Sequence, residues 1–126
     1  MEILIDTNFI LTCVKQKVDF LNLTEEIIDK EIKWAVPLEV KQELEKIVKQ
    51  SGKKTKDRIA AETSLLVLKY NNFREIKLNN QNVDRGIVNY LRDKPEFILA
   101  TLDRDLKKQI KNKILTIRDV TSLEIV

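Results

Sequence analysis

Histidine is absent from this sequence of 126 residues. That single absence removes Ser-His-Asp and Cys-His catalysis, the zinc-metalloprotease helix and every histidine general base. One cysteine, Cys13, excludes an internal disulfide and any cysteine-based zinc cluster. It reads as a small core residue on the first helix. Two glycines, Gly52 and Gly86, are too few for a dinucleotide-binding or phosphate-cradling loop. No apolar run reaches membrane-spanning length, since Leu65-Leu66-Val67-Leu68 is closed off by Ser64 and Lys69. No basic segment precedes the short apolar run at the N-terminus, so no signal peptide and a cytoplasmic location are expected.

What remains is a chain with 43% hydrophobic and 34% charged residues, the balance of a globular domain with a well-charged surface. Its net charge of +3 permits a polyanionic partner without demanding one. If the chain catalyses anything, its tools are carboxylates, lysines and metal ions. Residues 1–126 have the length of one domain, with no linker, repeat or low-complexity segment.

Apolar periodicity predicts strands alternating with helices. The first strand ends on Asp6, and a short helix follows from Thr7 to about Val14. A second helix, Asp19 to Lys30, carries Phe20, Leu23, Ile27 and Ile28. Ile32 to Val36 is a strand stopped by Pro37, which opens a helix to about Gln50, with Gly52 as its stop. Lys56 to Tyr70 is a long helix and Phe73 to Leu78 a strand. Asp84 to about Arg92 is a helix, Phe97 to Ala100 a strand, Asp103 to about Lys111 a helix and Ile114 to Ile117 a strand. The tail, residues 118–126, carries no assignable pattern. This alternation implies right-handed crossovers and a parallel, three-layer α/β sandwich. The greasy first strand reads as central, which puts Asp6 at the carboxyl edge where such sheets bind ligands.

Acids interrupt the apolar stripes. Val40, Glu43, Leu44 and Ile47 fall at i, i+3, i+4 and i+7, and Asp84, Ile87, Val88 and Leu91 repeat the offsets. Asp103, Leu106 and Ile110 do likewise after a buried strand. Singly, Asp84 and Asp103 read equally well as N-caps, and Glu43 as the partner of a lysine. Asp105 suits a first-turn acid facing the helix dipole. Jointly, Asp6, Glu43, Asp84 and Asp103 all belong on one edge of a parallel sheet. Four converging carboxylates repel one another, and oxygen-only ligands suit Mg²⁺ or Mn²⁺. Such a site fits phosphoryl transfer by a nuclease or a phosphatase.

Asp6-Thr7-Asn8-Phe9, the run Val36-Pro37-Leu38-Glu39-Val40-Lys41-Gln42-Glu43-Leu44, Asp84 with Ile87, and Ala100-Thr101-Leu102-Asp103-Arg104-Asp105-Leu106 resemble the ordered motifs of PIN-domain ribonucleases. The resemblance runs from Met1 to about Ile117. It implies a five-stranded parallel sheet of order 3-2-1-4-5 and Mg²⁺- or Mn²⁺-dependent hydrolysis of single-stranded RNA. It also implies Asp6, Glu43, Asp84 and Asp103 as catalytic and metal-ligating acids, with Asn8 and Thr101 positioning them. The run before Glu43 resembles the small-subunit rRNA-processing branch more than the toxins of toxin–antitoxin pairs. Asn112-Lys113-Ile114 departs from the Gly-Val-Pro usual before the last strand.

Two basic runs offer phosphate contacts: Lys46 to Arg58, including Lys53 and Lys54, and Arg104, Lys107, Lys108, Lys111 and Lys113. Trp34 reads as core, and Tyr90 as an exposed aromatic able to stack on a base. The expected partners are single-stranded RNA, with precursor rRNA favoured, and a second copy of the chain as a homodimer. An antitoxin protein joins them only if the toxin reading holds. A reading of another class is a non-catalytic RNA-binding or assembly module.

Overall fold

Strand β1 (Glu2–Ile5) is flanked on both sides, by β2 (Lys33–Pro37) and by β4 (Phe97–Ala100). A strand in that position must be apolar on both faces, and Ile3, Leu4 and Ile5 are completely buried. The computed structural model describes residues 1–50 and 55–126. Gly52, Lys53 and Lys54 lie outside the described residues.

The remaining strands are β3 (Arg74–Ile76), β5 (Ile114–Ile117) and β6 (Leu123–Ile125). The helices are α1 (Thr7–Lys15), α2 (Phe20–Ile27), α3 (Leu38–Lys49), α4 (Thr55–Tyr70), α5 (Val83–Leu91) and α6 (Arg104–Gln109). The sheet runs β3-β2-β1-β4-β5-β6. Its first five strands are parallel in the expected order 3-2-1-4-5, with Ile3 level with Trp34 on one side and Ile98 on the other.

The sheet has six strands rather than five. The tail left without a pattern turns back as β6, antiparallel to β5, with Thr116 opposite Glu124. Asp119 makes the turn, its Oδ1 accepting from the amides of Thr121 and Ser122. Leu123 then enters the core.

Alternation along the strands divides the core in two. Ile3, Ile5, Val36, Ile98 and Ala100 face one side with Phe9, Val40, Leu44 and Ala61, from α1, α3 and α4. Leu4, Ala35 and Leu99 face the other with Ile87, Leu91 and Leu106, from α5 and α6. Trp34 is core as expected, edge-on to Phe20 at 5.4 Å and tilted on Phe73 at 5.5 Å.

Three elements differ from the periodicity. Helix α2 stops at Ile27, which is 45% exposed, and the buried positions are Phe20, Thr24 and Ile28. Thr24 satisfies its hydroxyl by donating to Phe20 O, so a polar residue takes a core slot. Strand β3 ends at Ile76, because the Leu78 and Asn79 amides bond to Glu39 instead of a ladder. In α5 the N-cap is Asn82, whose Oδ1 accepts from the Arg85 amide, so Asp84 falls inside the first turn.

Gly86 in α5 is where this helix meets the β3–α5 loop. A Cβ there would stand 2.9 Å from Leu78 Cβ, next to the backbone and unable to swing aside. Alanine gains about 1 kcal/mol of helix propensity but overpacks at a cost of about 1–3 kcal/mol. Gly86→Ala is therefore expected to lower unfolding stability by about 1 kcal/mol in urea. An unchanged or raised midpoint would contradict this packing.

Candidate active site

Asp6 sits at the carboxyl end of β1, its amide donating to Ala100 O at 3.0 Å. At the end of a strand paired on both sides, its side chain is largely withdrawn from water, and only 5% of the residue is exposed. Its oxygens are satisfied separately. Oδ1 accepts from the Thr7 amide at 2.8 Å and Oδ2 from Thr101 Oγ1 at 2.9 Å. Asp6 is thus also the N-cap of α1.

Burial raises the Asp6 carboxyl from an ordinary 3.8 to about 6. The bonds from Thr101 and Thr7 oppose that rise, while the charges of Asp84 and Glu43 add to it. Asp84 is raised too, first by desolvation and then by the charge of Asp103. Among the described residues, no lysine or arginine is among the groups that shift either carboxyl. These four acids therefore share one electrostatic field, linked in the order Glu43, Asp6, Asp84, Asp103.

Local bonds hold the four apart. Glu43, half-buried on α3, accepts from Thr7 Oγ1 at 2.6 Å, so Thr7 ties it to Asp6. Asp103 is the N-cap of α6, with Oδ1 accepting from the amides of Asp105 and Leu106. Asp84 is exposed, and Val83 rather than Asp84 begins the buried stripe of α5. The expectation that Asp84 displaces a core residue is corrected accordingly. Among the described residues, no three Asp, Glu or Cys side chains form a ready-made metal cage. The donor set itself, all hard oxygens in a field short of positive charge, fits Mg²⁺ or Mn²⁺.

Asn8 and Thr101 knit the edge together. Asn8 Oδ1 accepts from the Leu102 amide at 3.2 Å, and Thr101 Oγ1 accepts from the Asp103 amide at 3.1 Å. Asp105 is an exposed first-turn acid whose side chain makes no hydrogen bond or ion pair among the described residues. Arg104, next to Asp103, and Lys108 further along α6 are exposed, whereas Lys107 leans onto β5 and donates to Thr116 Oγ1. Tyr90 is not an open stacking platform. It is half-buried, edge-on to Phe97, with Lys94 Nζ 4.2 Å from its ring centre.

Two residues escaped the sequence reading. Thr7 bonds both Asp6 and Glu43, and its place directly after Asp6 was the available signal. Glu39 carries the β3–α5 loop on its carboxylate, and its position four residues before Glu43 placed it on the same helix face.

A parallel α/β sheet with an acid at the end of its central strand, and acids from three following segments sharing its field, defines a class of carboxylate-edged domains. A family model described as PIN like domain matches residues 3–120, and the chain belongs to the PIN-like domain family. It is 28% identical over 105 residues to Ribonuclease VapC4 of Methanocaldococcus jannaschii, covering 83% of this chain and 79% of that protein. Its fold matches that of the PIN domain endonuclease Utp24 with a TM-score of 0.78 at 24% identity, over 98% of this chain and 90% of that one. VapBC2 from Rickettsia felis, solved bound to a DNA fragment from its promoter, matches with a TM-score of 0.59 at 15% identity, over 92% and 98% of the two chains. No helix among the described residues is long and apolar enough to cross a membrane.

The shift at Asp6 has a definite sign. Native Asp6 holds its proton more tightly than the unfolded chain does, so this group contributes fully at pH below about 3.8. Its contribution falls as pH rises and is about 2–3 kcal/mol lower once Asp6 is ionised above pH 6. Asp6→Asn is therefore expected to stabilise the metal-free protein by about 1–2 kcal/mol at pH 7.5 and by little at pH 3.5. Thr101 can turn to accept from the new amide and donate to Asn8. Thermal unfolding in EDTA checks this, and a loss of stability at pH 7.5 would contradict it.

Proposed function

We propose that this chain is a divalent-metal-dependent endoribonuclease that hydrolyses single-stranded RNA. The observation that carries the reading is the convergence on buried Asp6, tied through Thr7 to Glu43, of the charges of Glu43 and Asp84, which help burial raise its carboxyl to about 6. A protein maintains such a cost where a cation is to be bound. The kinship to a protein named a ribonuclease supports RNA as the substrate.

Asp6, Glu43, Asp84 and Asp103 would hold the Mg²⁺ or Mn²⁺. The bound ion would supply Lewis acidity toward the scissile phosphate and a nucleophilic water. The chain supplies the rest. Asp6 is oriented through both oxygens by Thr7 and Thr101. Thr7 fixes the rotamer of Glu43, and Asn8 holds the turn that leads to Asp103. Arg104, the residue after Asp103, offers positive charge to a passing RNA backbone, and Lys108 adds to it further along α6.

Within this reading the run from Val36 to Leu44 supports a role in ribosomal RNA processing. A second reading keeps the reaction and makes the chain a ribonuclease toxin restrained by an antitoxin protein. It is retained because the sequence relative is named Ribonuclease VapC4 and not a ribosomal factor. Recovery from native cells separates the two. A small protein that co-purifies and blocks cutting supports the toxin, and association with precursor rRNA supports processing.

Asp103→Asn tests the chemistry without disturbing the fold, because asparagine caps a helix as well as aspartate does. Stability is expected to stay within about 0.5 kcal/mol while cutting of single-stranded RNA is lost. EDTA should abolish cutting by the unmodified chain and Mn²⁺ should restore it. Undiminished cutting by Asp103→Asn would overturn the site, and cutting in EDTA would overturn the metal dependence.

A further inference from the structure

Glu43 also lines an open polar cleft of about 610 Å³ that extends away from the other three acids. One wall is the outer face of α3, with Gln42 and Lys46. The other is the β3–α5 loop, with Asn79, Asn80 and Gln81.

The loop is held firmly. Glu39 takes the Leu78 amide on Oε1 at 3.1 Å and the Asn79 amide on Oε2 at 3.0 Å. Although desolvation opposes ionisation, these backbone bonds keep the Glu39 carboxyl below its ordinary value. Asn79 adopts a left-handed backbone, φ 55°, as asparagine tolerates. From the other side, Gly86 packs against Leu78. The helices that grip the loop, α3 and α5, are those that carry Glu43 and Asp84. Loop and acids are therefore tied to the same two helices.

The cleft presents unspent hydrogen-bonding capacity. Gln42, Lys46, Asn79 and Gln81 make no side-chain hydrogen bond or ion pair among the described residues. Asn80 spends its oxygen on the Asn82 amide and keeps its NH₂ free. Side-chain amides carry both donors and acceptors, the combination that reads the edge of an unpaired base. An ammonium at Lys46 suits the adjoining phosphate.

We propose that this cleft is a base-reading subsite, in which Gln42, Gln81 and the Asn80 amide select the nucleotide beside the scissile phosphate and Lys46 contacts its phosphate. Its use in cutting rests on the ribonuclease reading above, but base selection in binding does not.

Gln42→Ala and Gln81→Ala remove exposed side chains and leave the fold alone. Fluorescence anisotropy with labelled homopolymers of uridine, adenosine and cytidine, in EDTA, reads binding without cutting. The intact chain should favour one base, and each substitution should erode that preference, on the order of 10-fold for the pair. End-sequencing of cut single-stranded RNA should show the same relaxation at one position. Base preference that depends on Gln81 in a chain that never cuts would leave this subsite standing and remove the ribonuclease reading. No preference among the homopolymers, or cutting whose sequence preference survives both substitutions, would overturn the subsite.

Discussion

A carboxylate buried at the end of the central strand must be held, and the holding of Asp6 organises the edge around it. Two hydrogen bonds, from Thr7 and Thr101, satisfy its oxygens. Neither brings positive charge, so the ionised form remains costly and the carboxyl rises to about 6. Thr7 belongs to α1 and Thr101 follows β4, so Asp6 also locks the first helix to the strand beside it. Thr7 then reaches Glu43 on α3, and Thr101 Oγ1 accepts from the amide of Asp103 itself. A single constrained side chain thus sets the positions of acids far apart in sequence.

The rest of the fold serves that placement. The five parallel strands end on one edge, which is why acids after β1 and β4, in the second turn of α3 and at the start of α5 come near one another. The same edge carries the loop gripped by Glu39 and Gly86. Glu39 shows how context divides like residues into unlike roles. Backbone amides hold its charge and lower its pKa, whereas Asp6 on the same edge is raised by burial and by its acidic neighbours.

The parallel sheet was legible because its strands are short apolar runs between helical stripes. The core side of Ile3, Ile5, Val36 and Ile98 follows from alternation alone. β6 was missed because three residues at an edge give little periodicity, although Asp119 to Ser122 carry turn chemistry and Leu123-Glu124-Ile125 alternates. The acids at Asp6 and Glu43 stood out as polar residues inside apolar patterns. Asp84 was misplaced because its offsets match a stripe that Val83 and Ile87 in fact begin. Thr7 and Glu39 were invisible to periodicity, since their roles are hydrogen bonds to segments 36 and about 40 residues away.

The central claim is that the raised carboxylates wait for a divalent cation. Calorimetric titration with Mn²⁺ at pH 6 and pH 8, each in two buffers of different ionisation enthalpy, measures the protons released on binding. With Asp6 near half protonated at pH 6, binding should release roughly half a proton or more there and almost none at pH 8. Failure to bind Mn²⁺, or binding with no difference in proton release between the two pH values, would contradict the account.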